Sequence, residues 1–96
     1  MENLIAAQAG TFESSDIIIL IEPLAQNSGR IIEVESTVMF QYGENIKAVI
    51  EDMLNIYQIS DVHIIAKDKG ALELVIRARI ETAIYRSLGN QETRFK

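Results

Sequence analysis

The chain has 96 residues, of which 48% are hydrophobic and 24% charged, and it contains no cysteine. This length supports one hydrophobic core, so we expect a single domain over residues 1–96, with residues 1–9 and 90–96 loosely ordered. The net charge of −5 argues against nucleic acid as a partner, because phosphate contacts require clustered basic residues. The lack of cysteine excludes disulfides and thiolate metal ligands, and no apolar run suits a signal peptide or a membrane span. These features predict a cytoplasmic location with no membrane contact.

Two short apolar segments in the first third of the chain are typical of β-strands. Residues 17–21 form a β-branched run that stops before Pro23, which predicts a buried strand. Residues 30–35 partly alternate between apolar and polar side chains, as expected of a strand with one face toward solvent. Because only a short polar loop separates them, we expect these two strands to pair as a hairpin.

The next segment has the clearest periodicity in the chain. Its apolar side chains recur at the spacing of one helical face, namely Ile46, Val49, Ile50, Met53, Leu54 and Tyr57. This pattern predicts an amphipathic helix whose start lies between Thr37 and Glu44. Gly43 either caps or interrupts that helix.

The last third of the chain predicts a strand, a turn and a second helix. Residues 61–67 alternate, with Val62, Ile64 and Ala66 on one face, and residues 68–70 form a turn. Residues 71–88 also show period two at their start, but eighteen residues without Gly or Pro are long for a strand. Charge pairs spaced by four residues favour a helix, with Asp68 in its N-cap region.

The predicted order is therefore β-β-α-β-α. We expect an α+β fold, a two-layer sandwich in which two helices pack on one face of a small sheet. If the second and third predicted strands are parallel neighbours, their crossover is right-handed.

A search for catalytic groups predicts none. His63 is the one histidine and lies inside a predicted strand, without the partner groups that acid–base or nucleophilic catalysis requires. The glycines are scattered, so there is no phosphate-binding loop, and no spacing of His and carboxylates indicates a metal site. Glu33 and Glu35 are interpreted as solvated surface.

After this search, residues 9–16 (AGTFESSD) are the segment left to consider as a functional site. As a polar segment before the first predicted strand, they are typical of a turn in which Ser and Asp bond to the backbone. A serine on an exposed segment is also accessible to another enzyme for covalent modification. From the residues alone, Ser14 and Ser15 are equal candidates for such an attachment.

Residues 9–16, together with residues 68–72 (DKGAL) and 76–79 (IRAR), resemble the citrate lyase acyl carrier protein family, the gamma subunits of bacterial citrate lyase. Residues 41–43 (QYG) and the amphipathic helix fall where that family has them. The resemblance covers about residues 9–88. It departs from the family pattern at Phe12, where Leu is frequent, at Ser15, where Gly is common, and at Lys67, where an acidic residue is frequent.

The resemblance implies a non-catalytic carrier whose Ser14 is joined through a phosphodiester to 2'-(5''-phosphoribosyl)-3'-dephospho-CoA. The thiol of this arm holds acetyl and then citryl as thioesters. The implied partners are an alpha subunit that exchanges acetyl for citryl and a beta subunit that releases oxaloacetate, so that citrate is cleaved to oxaloacetate and acetate. A transferase attaches the arm and an acetate ligase charges it.

Three further interpretations stay open at this point. Arg77 and Arg79 match the family and are either helix-surface charges or contacts for a partner or for the phosphates of the arm. The chain is alternatively a small regulatory or assembly domain of ferredoxin-like character, since fold alone does not separate the two functions. The malonate decarboxylase carrier bears a similar arm, but its serine context is less similar to this one.

Overall fold

The computed structural model describes residues 4–37 and 39–89, apart from the side chains of residues 39–44. The elements are β1 (Ala7–Gly10), β2 (Ile17–Pro23), β3 (Arg30–Ser36), α1 (Met39–Ile56), β4 (Val62–Asp68) and α2 (Glu73–Ser87). The predicted α+β class and the order of its five elements are confirmed, with β1 added in front of them.

The sheet has four strands in the order β1-β2-β4-β3. β4 is antiparallel to β2 and parallel to β3, so Ala66 stands opposite Ile19 on one side and Val34 on the other. The predicted hairpin of β2 with β3 is therefore wrong. A parallel pair requires a crossover, which α1 supplies between β3 and β4, and β4 then separates β3 from β2.

One face of the sheet is buried beneath both helices, which confirms the predicted two-layer sandwich. The strand side chains on this face include Ile17, Ile19, Ile21, Val62, Ile64 and Ala66. They pack with α1 through Ile46, Val49, Ile50, Met53 and Leu54, and with α2 through Ile76, Ile80, Ala83 and Ile84. The opposite face carries Ile18, which is buried, and the half-buried Ile65, with mostly polar side chains around them.

α1 begins at Met39, within the predicted range from Thr37 to Glu44. It passes through Gly43, which neither caps nor interrupts it, while the side chain of residue 42 lies outside the described residues. α2 begins after Leu72, which makes no side-chain capping bond. Asp68 instead accepts hydrogen bonds from the amides of Gly70 and Ala71, at 3.1 and 2.9 Å, and so caps the turn before the helix.

β1 was not predicted from the sequence. It pairs antiparallel with β2, from Ala7 opposite Ile21 to Gly10 opposite Ile18. The Ile5 amide also donates to the Ser87 carbonyl at 2.8 Å, which ties this edge to the end of α2. The first nine residues were expected to be loosely ordered; of these, residues 7–9 are part of the sheet, while residues 1–3, like residues 90–96, lie outside the described residues.

Gly10 allows the chain to leave β1 and turn toward β2. Its φ is +99°, and a Cβ atom built there would lie 1.8 Å from the Ile17 carbonyl oxygen. Gly29 also has positive φ, +83°, but a Cβ atom there meets nothing within 4 Å. A side chain at Gly10 would therefore meet both conformational strain and a steric clash with the backbone, whereas a side chain at Gly29 would meet conformational strain alone.

Replacing Gly10 with Ala is expected to lower the free energy of unfolding by more than 2 kcal/mol, roughly, because strain and the clash with Ile17 act together. Gly29→Ala is the matched control and is expected to cost about 1 kcal/mol from strain alone. Urea denaturation followed by circular dichroism measures both. Equal losses in the two variants would contradict the role of the close approach at Gly10.

Candidate functional site

The loop between β1 and β2, residues 11–16, projects from the end of the sheet and carries both candidate serines. The Asp16 amide donates to the Glu13 carbonyl at 3.1 Å and closes a tight turn around Ser14 and Ser15. Both serines are exposed. The loop is therefore an ordered turn with its hydroxyl groups toward solvent.

Ser14 and Ser15 occupy different positions in this turn. Neither of the two hydroxyls forms a hydrogen bond within the described residues. Ser15 has a φ of +65°, and its amide donates to the Lys69 carbonyl at 2.8 Å. A left-handed residue is most easily glycine, which gives a physical reason why a family with this turn would favour Gly at position 15.

Asp16 is the hydrogen-bonding centre of the loop. Its carboxylate accepts from the Thr11 hydroxyl at 2.6 Å and from the Ile17 amide at 2.7 Å. Arg79 on α2 binds both carboxylate oxygens, through Nε at 3.0 Å and Nη2 at 2.7 Å. The hydrogen bonds from Arg79 and Thr11 hold the pKa of Asp16 well below its usual range, although burial acts in the opposite direction.

A second anchor comes from the turn after β4. The Lys69 amide donates to the Asp16 carbonyl at 2.8 Å, and the Lys69 carbonyl accepts from Ser15. The buried Asp68 carboxylate holds this turn in place by accepting from the Ser36 hydroxyl at 2.7 Å as well as from two amides of the turn. The loop is thus fixed from α2 and from the β4–α2 turn.

These contacts join the sequence segments that carried the family resemblance. Residues 9–16, 68–72 and 76–79 are far apart in the chain, yet they meet at one end of the sheet. Residues 41–43 lie in α1, and their side chains are outside the described residues. The pairing of Asp16 with Arg79, 63 positions apart, was not predicted from the sequence.

The sequence left the roles of Arg77 and Arg79 open, and the two side chains lie in different environments. Arg79 forms an ion pair with Asp16 and holds the loop against α2. Arg77 lies on the surface, where it contacts Asp52 at 3.2 Å and Glu73 at 3.3 Å. Arg77 therefore lies on the helix surface, and its contact with Glu73 confirms one of the two charge pairs expected of α2, the other being with Glu81.

The other polar candidates lie apart from the loop. His63 is on the open face of the sheet, with Nε2 2.9 Å from Glu33 and Nδ1 3.8 Å from Glu22. Glu33 and Glu35 are exposed, as predicted. Among residues 4–37 and 39–89, no group of His, Cys, Asp and Glu could hold a metal ion, and neither helix is long and apolar enough to cross a membrane.

Comparison with known proteins gives consistent matches over most of the chain. The model of an acyl carrier protein family, described as malonate decarboxylase delta subunit (MdcD), matches residues 5–87. The chain is 43% identical to the citrate lyase acyl carrier protein of Edwardsiella ictaluri, over 85% of this chain and 83% of the relative. It is also 43% identical to the protein of that name from Weissella paramesenteroides, over 97% and 94%.

A solved structure shares the fold. It is a chain in the crystal structure of a Pseudomonas malonate decarboxylase hetero-tetramer in complex with malonate. The TM-score is 0.70 at 23% identity, over 88% of this chain and 84% of that one. At this identity the likeness supports the architecture alone.

We expect Asp16→Asn to lower the free energy of unfolding by about 1–2 kcal/mol at neutral pH, because it removes the charge that Arg79 and Thr11 stabilise. The pKa of Asp16 is lowered in the folded state, so its contribution is fully present above the ordinary carboxyl pKa. It is lost as the pH falls below that value, near 3.9. The stability difference between the parent protein and Asp16→Asn should therefore shrink in acid.

Urea denaturation at several pH values between about 3 and 7 measures this difference. Asp52→Asn is the matched control, since it removes a carboxylate that pairs with an arginine in a more exposed place. Its effect is expected to be smaller. A loss in Asp16→Asn that is the same at every pH would contradict the assignment of the stabilisation to the Asp16 charge.

Proposed function

Because the chain belongs to the acyl carrier protein family of malonate decarboxylase delta subunits and citrate lyase acyl carrier proteins, we propose that it is the carrier subunit of a citrate lyase. It is a non-catalytic acyl carrier. The single observation that supports attachment on this loop is an exposed serine hydroxyl that forms no hydrogen bond among the described residues, on a loop that is anchored on both sides. The hydroxyl of Ser15 is equally exposed, and the choice of Ser14 rests on the family resemblance. The ferredoxin-like regulatory domain is no longer needed as an alternative.

The choice of citrate lyase rests on sequence similarity. Relatives that carry this name are 43% identical over nearly the whole chain, whereas the malonate decarboxylase chain is 23% identical. The partners in this proposal are the citrate lyase alpha and beta subunits, a transferase that attaches the arm and an acetate ligase. The proposed location is the cytoplasm.

The residues present fit a covalently attached 2'-(5''-phosphoribosyl)-3'-dephospho-CoA. The Ser14 oxygen is accessible, and no described side chain lies within hydrogen-bonding distance to act as its base. Attachment therefore requires the transferase, which removes the hydroxyl proton while the Ser14 oxygen forms a bond to phosphorus. The bond between that phosphorus and its leaving group breaks in the same exchange. When attached, the arm supplies the thiol that holds acetyl and citryl groups.

The remaining residues act as a rigid support. The Asp16–Arg79 pair and the contacts of Lys69 keep Ser14 at the tip of the turn. A tethered acyl group then meets each partner active site at an effective concentration on the order of millimolar, set by the reach of the arm. This role needs an ordered body and an accessible hydroxyl, and it needs no binding cleft for citrate on the carrier.

Intact mass spectrometry after co-expression with the transferase tests the proposed site. We expect one added prosthetic group on the parent protein and none on Ser14→Ala. Ser15→Gly is the matched control and should be fully modified, because glycine adopts the left-handed conformation of Ser15 without strain. Modification of Ser14→Ala together with its loss in Ser15→Gly would move the site to Ser15.

A further inference from the structure

A shallow groove runs beside the Ser14 loop, and we propose that it binds the nucleotide end of the attached arm. This proposal rests on the proposed function. The groove lies between the loop and the ends of β3 and β4, and its volume is about 580 Å³. Its walls include Phe12, Val34, Glu35, Lys67 and Lys69, and we call it the Phe12 groove.

The groove is directly adjacent to the attachment residue. Phe12 lies two positions before Ser14 on the same loop. Lys69 forms the facing wall, and its carbonyl oxygen is 2.8 Å from the amide nitrogen of Ser15. An arm that begins at Ser14 therefore has its first phosphate and its nucleotide beside the groove, without having to cross the protein.

Phe12 provides an exposed aromatic surface. Phe12 is 56% exposed, although burying a large apolar side chain is generally favourable. An aromatic ring on a loop, next to positive charge, is a common platform for a nucleobase, because every base has a π-face that stacks on it. The adenine of the dephospho-coenzyme A portion is the group of the arm that matches this surface.

The lysines provide charge for the phosphates. Among the described residues, Arg30, Arg77 and Arg79 form ion pairs and Arg86 donates to the Gln8 carbonyl. Lys67 and Lys69 form no ion pair within that same part of the chain. The groove thus holds two lysines that form no ion pair among the described residues, beside the proposed attachment serine.

Two acidic residues also line the groove, so its formal charge is neutral, and the phosphates would contact the lysines individually. Glu35 is the one carboxylate that lines it with an exposed side chain, and Lys67 stands opposite Glu35 in the β3–β4 register. Asp68 also lines the groove, but its buried carboxylate is occupied by Ser36 and by two backbone amides. Lys69 is therefore the lysine that we expect to contact the diphosphate, while Lys67 also lies beside Glu35.

Nuclear magnetic resonance of the modified protein tests the proposal directly. We expect nuclear Overhauser effects between the adenine protons and the Phe12 ring, and adenine proton shifts that differ from those of free dephospho-coenzyme A. Phe12→Leu should abolish both effects while leaving the arm attached by intact mass. Lys47→Glu is the matched control, since Lys47 is exposed on α1 and does not line the groove. Adenine shifts in the parent protein equal to those of free dephospho-coenzyme A would overturn the proposal.

A second measurement separates this proposal from the attachment at Ser14. Free dephospho-coenzyme A is titrated into the unmodified protein, and amide shifts of Phe12, Lys67 and Lys69 report on binding. We expect weak binding whose dissociation constant rises at least fivefold, roughly, in Phe12→Leu and in Lys69→Gln. No shift of these amides at millimolar ligand would count against the groove. A protein that binds the free nucleotide but gains no mass at Ser14 would instead refute the proposed function alone.

Discussion

The ion pair between Asp16 and Arg79 is the constraint on which the site depends. The Asp16 side chain is 12% exposed and the Arg79 side chain 38%, so the carboxylate is withdrawn from water while the guanidinium keeps partial hydration. A carboxylate this sheltered requires a partner, and Arg79 meets both of its oxygens in a bidentate contact. The same carboxylate orders Thr11 and the start of β2. The contacts of this one carboxylate thereby fix the first and last residues of the loop and hold the loop against α2.

The chain combines an ordered body with a loop that presents exposed serine hydroxyls. β4 lies inside the sheet, with β2 and β3 bonded to its two edges, and both helices cover the same face. This arrangement encloses the core on one side of the sheet and leaves the end of the sheet for the loop. Within the described residues, the Thr11 hydroxyl and the Asp16 carboxylate of the loop form hydrogen bonds, whereas the hydroxyls of Ser14 and Ser15 do not. The division suits a carrier, whose chemistry is supplied by an arm and by partner enzymes.

Local sequence patterns predicted all of the secondary-structure elements except β1, but they did not predict which strands pair with each other. The alternation at Val62, Ile64 and Ala66 identified both the strand and its buried face, and the helical spacing from Ile46 identified the core face of α1. Neither pattern contains information on which strands are neighbours, so β3 was paired with β2 instead of β4. β1 was not predicted because its residues, Ala, Gln and Gly, have low β propensity, and the strand is ordered by its pairing with β2. Ser14 was selected by family resemblance, and the contact of Asp16 with Arg79 has no signature in either local segment.

The location of Arg79 also has a consequence for the timing of modification during synthesis. The loop that presents Ser14 is complete early in the chain, but its bidentate partner is 63 residues further on, in the final helix. Until that helix has emerged and packed against the sheet, the serine is part of an unanchored segment. If Ser14 is modified as proposed, an enzyme that recognises the native turn would therefore act on folded chains and not on incomplete ones.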